Sequence, residues 1–313
     1  MLLHLVGLTA PLFLLVLLGY ALSRFGWPRT ASDALTRFVF TVAVPTLLFR
    51  LMSDFSRLPR VDARLLIAFF GGCLVVYVIG RIVAAMVFRM DGVGQSVFAM
   101  GGIFSNLVLL GIPLAKVTLG DAALPAVSLV VVFNSLILWT LVTISVEWAR
   151  HRDLSARSLL KTVRGVITNP IVASILAGTA FGFLGVGLPG IVDQTLLMVS
   201  QAAVPLSLIA LGMGLAEFGV RGQWRESAAI AVLKLAAQPA AVYGFARMLA
   251  LPTLETAAIV MLASLPIGAN VYLMSRQFGV LSGAVASAIV LTTAIAAFAM
   301  PVTLALIGAG ASP

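Results

Sequence analysis

The feature that most constrains this chain is the near absence of charge along runs of about twenty residues. A helix that crosses the hydrocarbon of a bilayer needs ~20 mostly apolar residues. Ten such runs can be placed, at approximately 2–22, 34–52, 64–88, 95–115, 122–147, 166–185, 190–215, 227–249, 255–275 and 281–307. Only 10% of the 313 residues are charged and 61% are hydrophobic, with a mean hydropathy of +1.13. So few charges cannot clothe a soluble surface, and a disordered chain, a coiled coil and a disulfide scaffold are excluded on the same ground. The runs are continuous and twice the length of a barrel strand. The expected fold is therefore an all-α polytopic membrane protein with ten transmembrane helices. The amino end lacks a basic leader and a cleavage site, and reads as a retained first span.

Lysine and arginine outnumber aspartate and glutamate by 20 to 11. In a membrane protein this excess reports topology and not nucleic-acid binding, because cytoplasmic loops collect cations. With the amino terminus outside, the inner loops hold eleven: Arg24, Arg29, Arg89, Arg150, Arg152, Arg157, Lys161, Arg164, Arg221, Arg225 and Arg276. The outer loops hold four: Arg57, Arg60, Arg64 and Lys116. Both termini are predicted outside, in the inner (plasma) membrane.

The longest polar stretch, Arg150 to Gly165, lies mid-chain with five runs on either side. Laying one half over the other at a shift of 159–160 pairs Pro11 with Pro170, Gly19 with Gly178, Asp33 with Asp193 and Pro45 with Pro205. It also pairs Ser105 with Ser264, Gly120 with Gly279 and Ser128 with Ser287. Residues 1–149 thus form a first five-helix repeat, 150–165 a cytoplasmic linker and 166–313 a second repeat. An odd repeat unit forces the halves into opposite orientations, the usual construction of secondary transporters.

Transporter sites lie where helices are interrupted near the midplane, since freed backbone groups can there meet a solute. Spans four and nine carry the signal at repeat-equivalent places: Ser105, Asn106, Gly111 and Pro113 in one, Pro266, Gly268 and Asn270 in the other. Each proline removes a donor and crowds the carbonyl four residues earlier. Each asparagine supplies a donor and an acceptor, and the amino ends of half-helices suit an anion. The competing reading is a pair of architectural kinks. Lys234, nine residues past Arg225, either snorkels to the inner interface or plays a charge role toward a solute. Asp33 and Asp193 read as helix caps, and Glu147 with Arg150 as an interfacial ion pair. Cys73 stands alone and His4 and His151 lie far apart, so no metal site, no cofactor and no enzyme chemistry are expected.

The segments NLVLLGIPLAKVTLG, VVFNSLILWTLVTISVEWAR, TNPIVASILAG and LPIGANVYLMSRQFG resemble the auxin efflux carrier family in its bacterial branch, along essentially the whole chain. The resemblance implies the fold of bile-acid sodium symporters. Helices one, two, six and seven are then a scaffold, past which helices three to five and eight to ten move as an elevator. It implies that broken helices four and nine cross, that Asn106 and Asn270 flank the substrate, and that Asn134 lies near it. Three departures from the plant pattern stand out: a short central loop, Asn270-Val271 in place of a second crossover proline, and no charge between Leu65 and Gly80 in helix three. The implied function is export of a small organic carboxylate such as malate, malonate or an auxin-like acid by alternating access. A sodium-coupled bile-acid-like symporter and a membrane ligand sensor are the alternatives. The residues leave the coupling ion, a proton or sodium, open. The implied partners are that carboxylate, the lipid bilayer and, among proteins, a second copy in a homodimer.

Overall fold

The computed structural model describes residues 2–53, 62–151, 168, 170–217 and 223–306. Most of the central linker, the loops that hold Arg57, Arg60 and Arg221, and the side chains of His4, Glu147, Arg150 and His151 lie outside the described residues. Among the described residues the regular elements are helices, joined by one isolated antiparallel bridge between Ser105 and Ile267. In chain order they are α1 (Leu2–Arg24), α2 (29–52), α3 (Arg64–Met86), α4 (Gly92–Gly101), α5 (107–118) and α6 (Leu124–His151). There follow α7 (Pro170–Phe183), α8 (190–217), α9 (224–248), α10 (Thr253–Ala263), α11 (Ala269–Phe278) and α12 (Ser282–Leu306). Five of them, α2, α3, α8, α9 and α12, are long and apolar enough to cross a membrane. Shorter apolar stretches lie in α1, α5, α6, α7 and α10.

Three helices widen into a π turn, at Val39–Ala43 in α2, Leu107–Gly111 in α5 and Leu233–Ala237 in α9. Each ends two residues before a proline: Pro45, Pro113 and Pro239. The residue just before each proline reaches back five positions instead of four, from Val44 to Val39, Ile112 to Leu107 and Gln238 to Leu233. A proline ring presses on the carbonyl four residues earlier and donates nothing to it. The widened turn moves that carbonyl aside, and the helix then continues. Pro205, the repeat partner of Pro45, instead follows a single non-helical residue at Ala202 within α8.

Helix α1 packs along α8, and α2 along α7 and α8. Glycine makes the close approaches, because small residues let backbones of membrane helices come together. A Cβ on Gly19 would strike the Ile209 carbonyl, one on Gly212 the Val16 carbonyl, and one on Gly178 would lie 2.6 Å from the Phe49 oxygen. Arg50 clasps Asp193 through Nε at 2.6 Å and Nη2 at 3.0 Å, tying α2 to α8. Asp193 sits in the first turn of α8 as the capping reading expects, yet its carboxylate is turned to arginine. A second set forms around α3 and α9, which run in opposite directions with Gly72 against Val242 and Gly80 against Leu233. Helix α4 packs on α3, and α10 and α12 on α9. Left-handed glycines recur 159 positions apart in the turns, Gly26 with Gly185 and Gly120 with Gly279.

Candidate functional site at the crossing of two helix breaks

Span four is interrupted at 102–106, between α4 and α5, and span nine at 264–268, between α10 and α11. Backbone N–H and C=O groups away from water must find partners inside the protein, and the two breaks supply them to each other. The Asn106 amide donates to the Pro266 carbonyl at 2.9 Å, and the Gly268 amide to the Phe104 carbonyl at 2.9 Å. The Ile267 amide donates to Thr292 Oγ1 of α12 at 3.2 Å. A Cβ at position 268 would sit 3.0 Å from the Ser105 oxygen, a tight contact that glycine relieves at the crossing. Two carbonyls where the chain leaves α4 and α10 for the breaks are met from α9. Gln238 Nε2 donates to Ile103 O at 2.8 Å, and Lys234 Nζ to Ala263 O at 2.6 Å.

Beside the crossing lies a cavity of about 250 Å³. Its walls are the first turn of α5 from Asn106 to Leu109, the start of α11 at Ala269 and Asn270, and Phe104, Ser105 and Gly268 of the breaks. Val131 and Asn134 of α6 and Thr36 and Phe40 of α2 complete it. Among the described residues, no charged side chain lines it. The first N–H groups of a helix have no partner within the helix and carry its positive dipole end, and here two such first turns face one space. Two buried oxygens in the walls, Ser105 Oγ and Asn134 Oδ1, have no hydrogen-bond partner. Toward an anion only a donor can serve, so the Ser105 hydroxyl and the Asn134 amide nitrogen, and not its oxygen, are the groups these two residues can offer. Such walls can hold a small anion by amides and helix ends without an ion pair. Among the described residues, no three His, Cys, Asp or Glu side chains gather as a metal site would require.

The family described as membrane transport protein matches residues 4–304. The chain belongs to that family. It is the auxin efflux carrier family to which the four segments above point. A relative from Rhizobium meliloti (strain 1021), bearing the name "Putative malonate transporter", is 28% identical over 316 residues, covering 99% of this chain and 98% of its own. An uncharacterised transporter of Methanocaldococcus jannaschii is 24% identical over 299 residues, covering 90% of this chain and 91% of its own. The chain is thus a multi-pass membrane transporter and not an enzyme.

Of the residues singled out in the transporter's sequence, Ser105, Asn106, Asn134, Gly268 and Asn270 come together in the cavity walls. Pro113 and Gly111 do not line it. The break falls before them, and the π turn accommodates Pro113 within α5. Gly111 instead admits Leu265, whose Cδ1 would lie 2.8 Å from an added Cβ. Pro266 contributes its carbonyl to the crossing and not a wall. Lys234 neither snorkels nor lines the cavity; it is fully buried against Ala263. Sequence reasoning passes over Thr36, Phe40, Gln238 and Thr292. Gln238 carries a signal, a second polar residue four after Lys234 and next to Pro239 in an apolar run. Phe40 carries none, because its facing depends on the π turn of α2.

Proposed function

We propose that the cavity is the substrate site of a secondary active transporter that exports a small organic carboxylate by elevator-type alternating access. The observation that carries this reading is a cavity whose described lining is uncharged and is built from the amino ends of two half-helices together with Ser105, Asn106, Asn134 and Asn270. Asn106 and Asn270 hydrogen-bond the anion, with the first-turn N–H groups of α5 and α11 beside them. The name of the Rhizobium relative makes malonate the first substrate to test.

The ten spans are read as two inverted five-helix repeats, joined by the linker 150–165. Three features support this: the glycine turns that recur at 159, the equivalent breaks, and Gly19 of α1 meeting α8 as Gly178 of α7 meets α2. Helices α1, α2, α7 and α8 serve as scaffold and the others as the moving body, with both termini outside the plasma membrane. The test is a thermal-shift screen of purified protein against mono- and dicarboxylates, with and without sodium. A shift specific to small carboxylates is expected, and no shift with any of them would overturn the reading.

A further inference from the structure

We propose that Lys234 is a built-in counter-cation for the anion site, held in place at the end of α10, and acts on the substrate without touching it. This rests on the reading of the cavity as an anion site. Lys234 is fully buried, on a helix whose other polar neighbours there are neutral, and its ammonium donates to Ala263 O at 2.6 Å. Gln238, one turn on, donates at 2.8 Å to Ile103 O and at 3.3 Å to Cys73 Sγ. The two side chains thus meet the last carbonyl of α10 and a carbonyl just past the end of α4, where both half-helices lead into the crossing. Either carbonyl could be satisfied by a neutral donor, as Gln238 demonstrates at α4. The use of a charged amine at α10 therefore calls for a reason beyond the hydrogen bond.

That reason lies in the field at the crossing. The carboxyl ends of α4 and α10 carry the negative ends of their dipoles, and these sit beside the same breaks whose amino ends face the cavity. An uncompensated pair of negative ends would repel an anion. A positive charge on one of them, present when the Lys234 amine is protonated, tips the balance toward an anion. Ala263 precedes the break that supplies Gly268, Ala269 and Asn270 to the cavity wall, so the charge lies within a short reach of chain from the site. Among the described residues, no cation in the wall itself does this work. The π turn at Leu233–Ala237 belongs to the same device, since it sets the facing of Lys234 and Gln238 toward the two helix ends.

Two substitutions separate charge from hydrogen bond. K234Q keeps a donor for the Ala263 carbonyl and removes the charge. C73D leaves the amine in place and sets a carboxylate on the face of α3 against which Gln238 and Lys234 pack. Malonate affinity of each purified variant is measured by thermal shift, together with hydrogen exchange of peptides over 260–269. Each variant is expected to bind malonate on the order of tenfold more weakly, with exchange at 260–269 unchanged in K234Q, while K234R keeps near-native affinity. K234Q decides. Native affinity in a folded K234Q overturns the counter-cation role and leaves the site reading intact. If the unsubstituted protein binds no carboxylate, the site reading fails and the role of Lys234 falls with it.

Discussion

Replacing Asn134 with leucine should separate stability from binding. The side chain is 3% exposed, its Oδ1 is buried without a partner, and the residue lines the cavity. A buried acceptor left unsatisfied costs about 1–3 kcal/mol of desolvation relative to an apolar group of similar size. The denatured state in a membrane buries the same amide in part, so roughly 1 kcal/mol is the net gain expected for N134L, or about 2–4 °C in Tm. A hydrogen bond donated by Asn134 Nδ2 to a charged ligand is worth about 1.5–3 kcal/mol, so loss of the amide should weaken malonate binding about 10- to 150-fold. Both numbers come from one thermal-unfolding series in detergent, with and without malonate. A variant that melts several degrees lower and binds malonate as before would refute the reasoning, because Asn134 would then hold structure and not ligand.

Other consequences can be checked separately. Gly178→Ala brings a methyl within 2.6 Å of the Phe49 carbonyl and should lower stability by about 1–3 kcal/mol in thermal melts. Gly214→Ala meets nothing within 4 Å, and should be neutral or stabilising by up to ~1 kcal/mol. In a Cys73→Ala background, Phe25→Cys and Leu184→Cys occupy exposed turn positions 159 apart. An impermeant maleimide should label Leu184→Cys from outside the cell and Phe25→Cys only after the membrane is opened, whereas labelling of both from one side would rule out inverted repeats. Phe40→Ala should enlarge the cavity and shift preference from malonate toward bulkier carboxylates, read as a ratio of dissociation constants. An unchanged ratio would show that α2 does not set the size of the ligand.

Much of this architecture was legible because lipid imposes simple rules. Long apolar runs mark spans, and paired glycines, prolines and asparagines in runs four and nine mark the interruptions. Asn106, Asn134 and Asn270 reach the cavity for the reasons that make polar residues rare in spans. The break itself was misplaced, however. Pro113 suggested an interruption at its own position, but a π turn absorbs it and the chain opens at 102–106 instead. Periodicity cannot foresee a π turn, which adds one residue and rotates everything beyond it, so Phe40 stayed invisible. The partners of Lys234 and Asp193 were hidden for another reason. A carbonyl freed by a distant break and an arginine 143 residues away become neighbours only when the helices are packed.

The most direct test of the transport site is uptake of labelled malonate by proteoliposomes containing the native protein, Asn106→Ala or Asn270→Ala, compared at equal amounts of folded protein. Saturable uptake by the native protein, with each substitution weakening apparent affinity at least tenfold, is the predicted result. Saturable uptake that both substitutions leave unchanged would place the site somewhere other than the crossing of the two breaks.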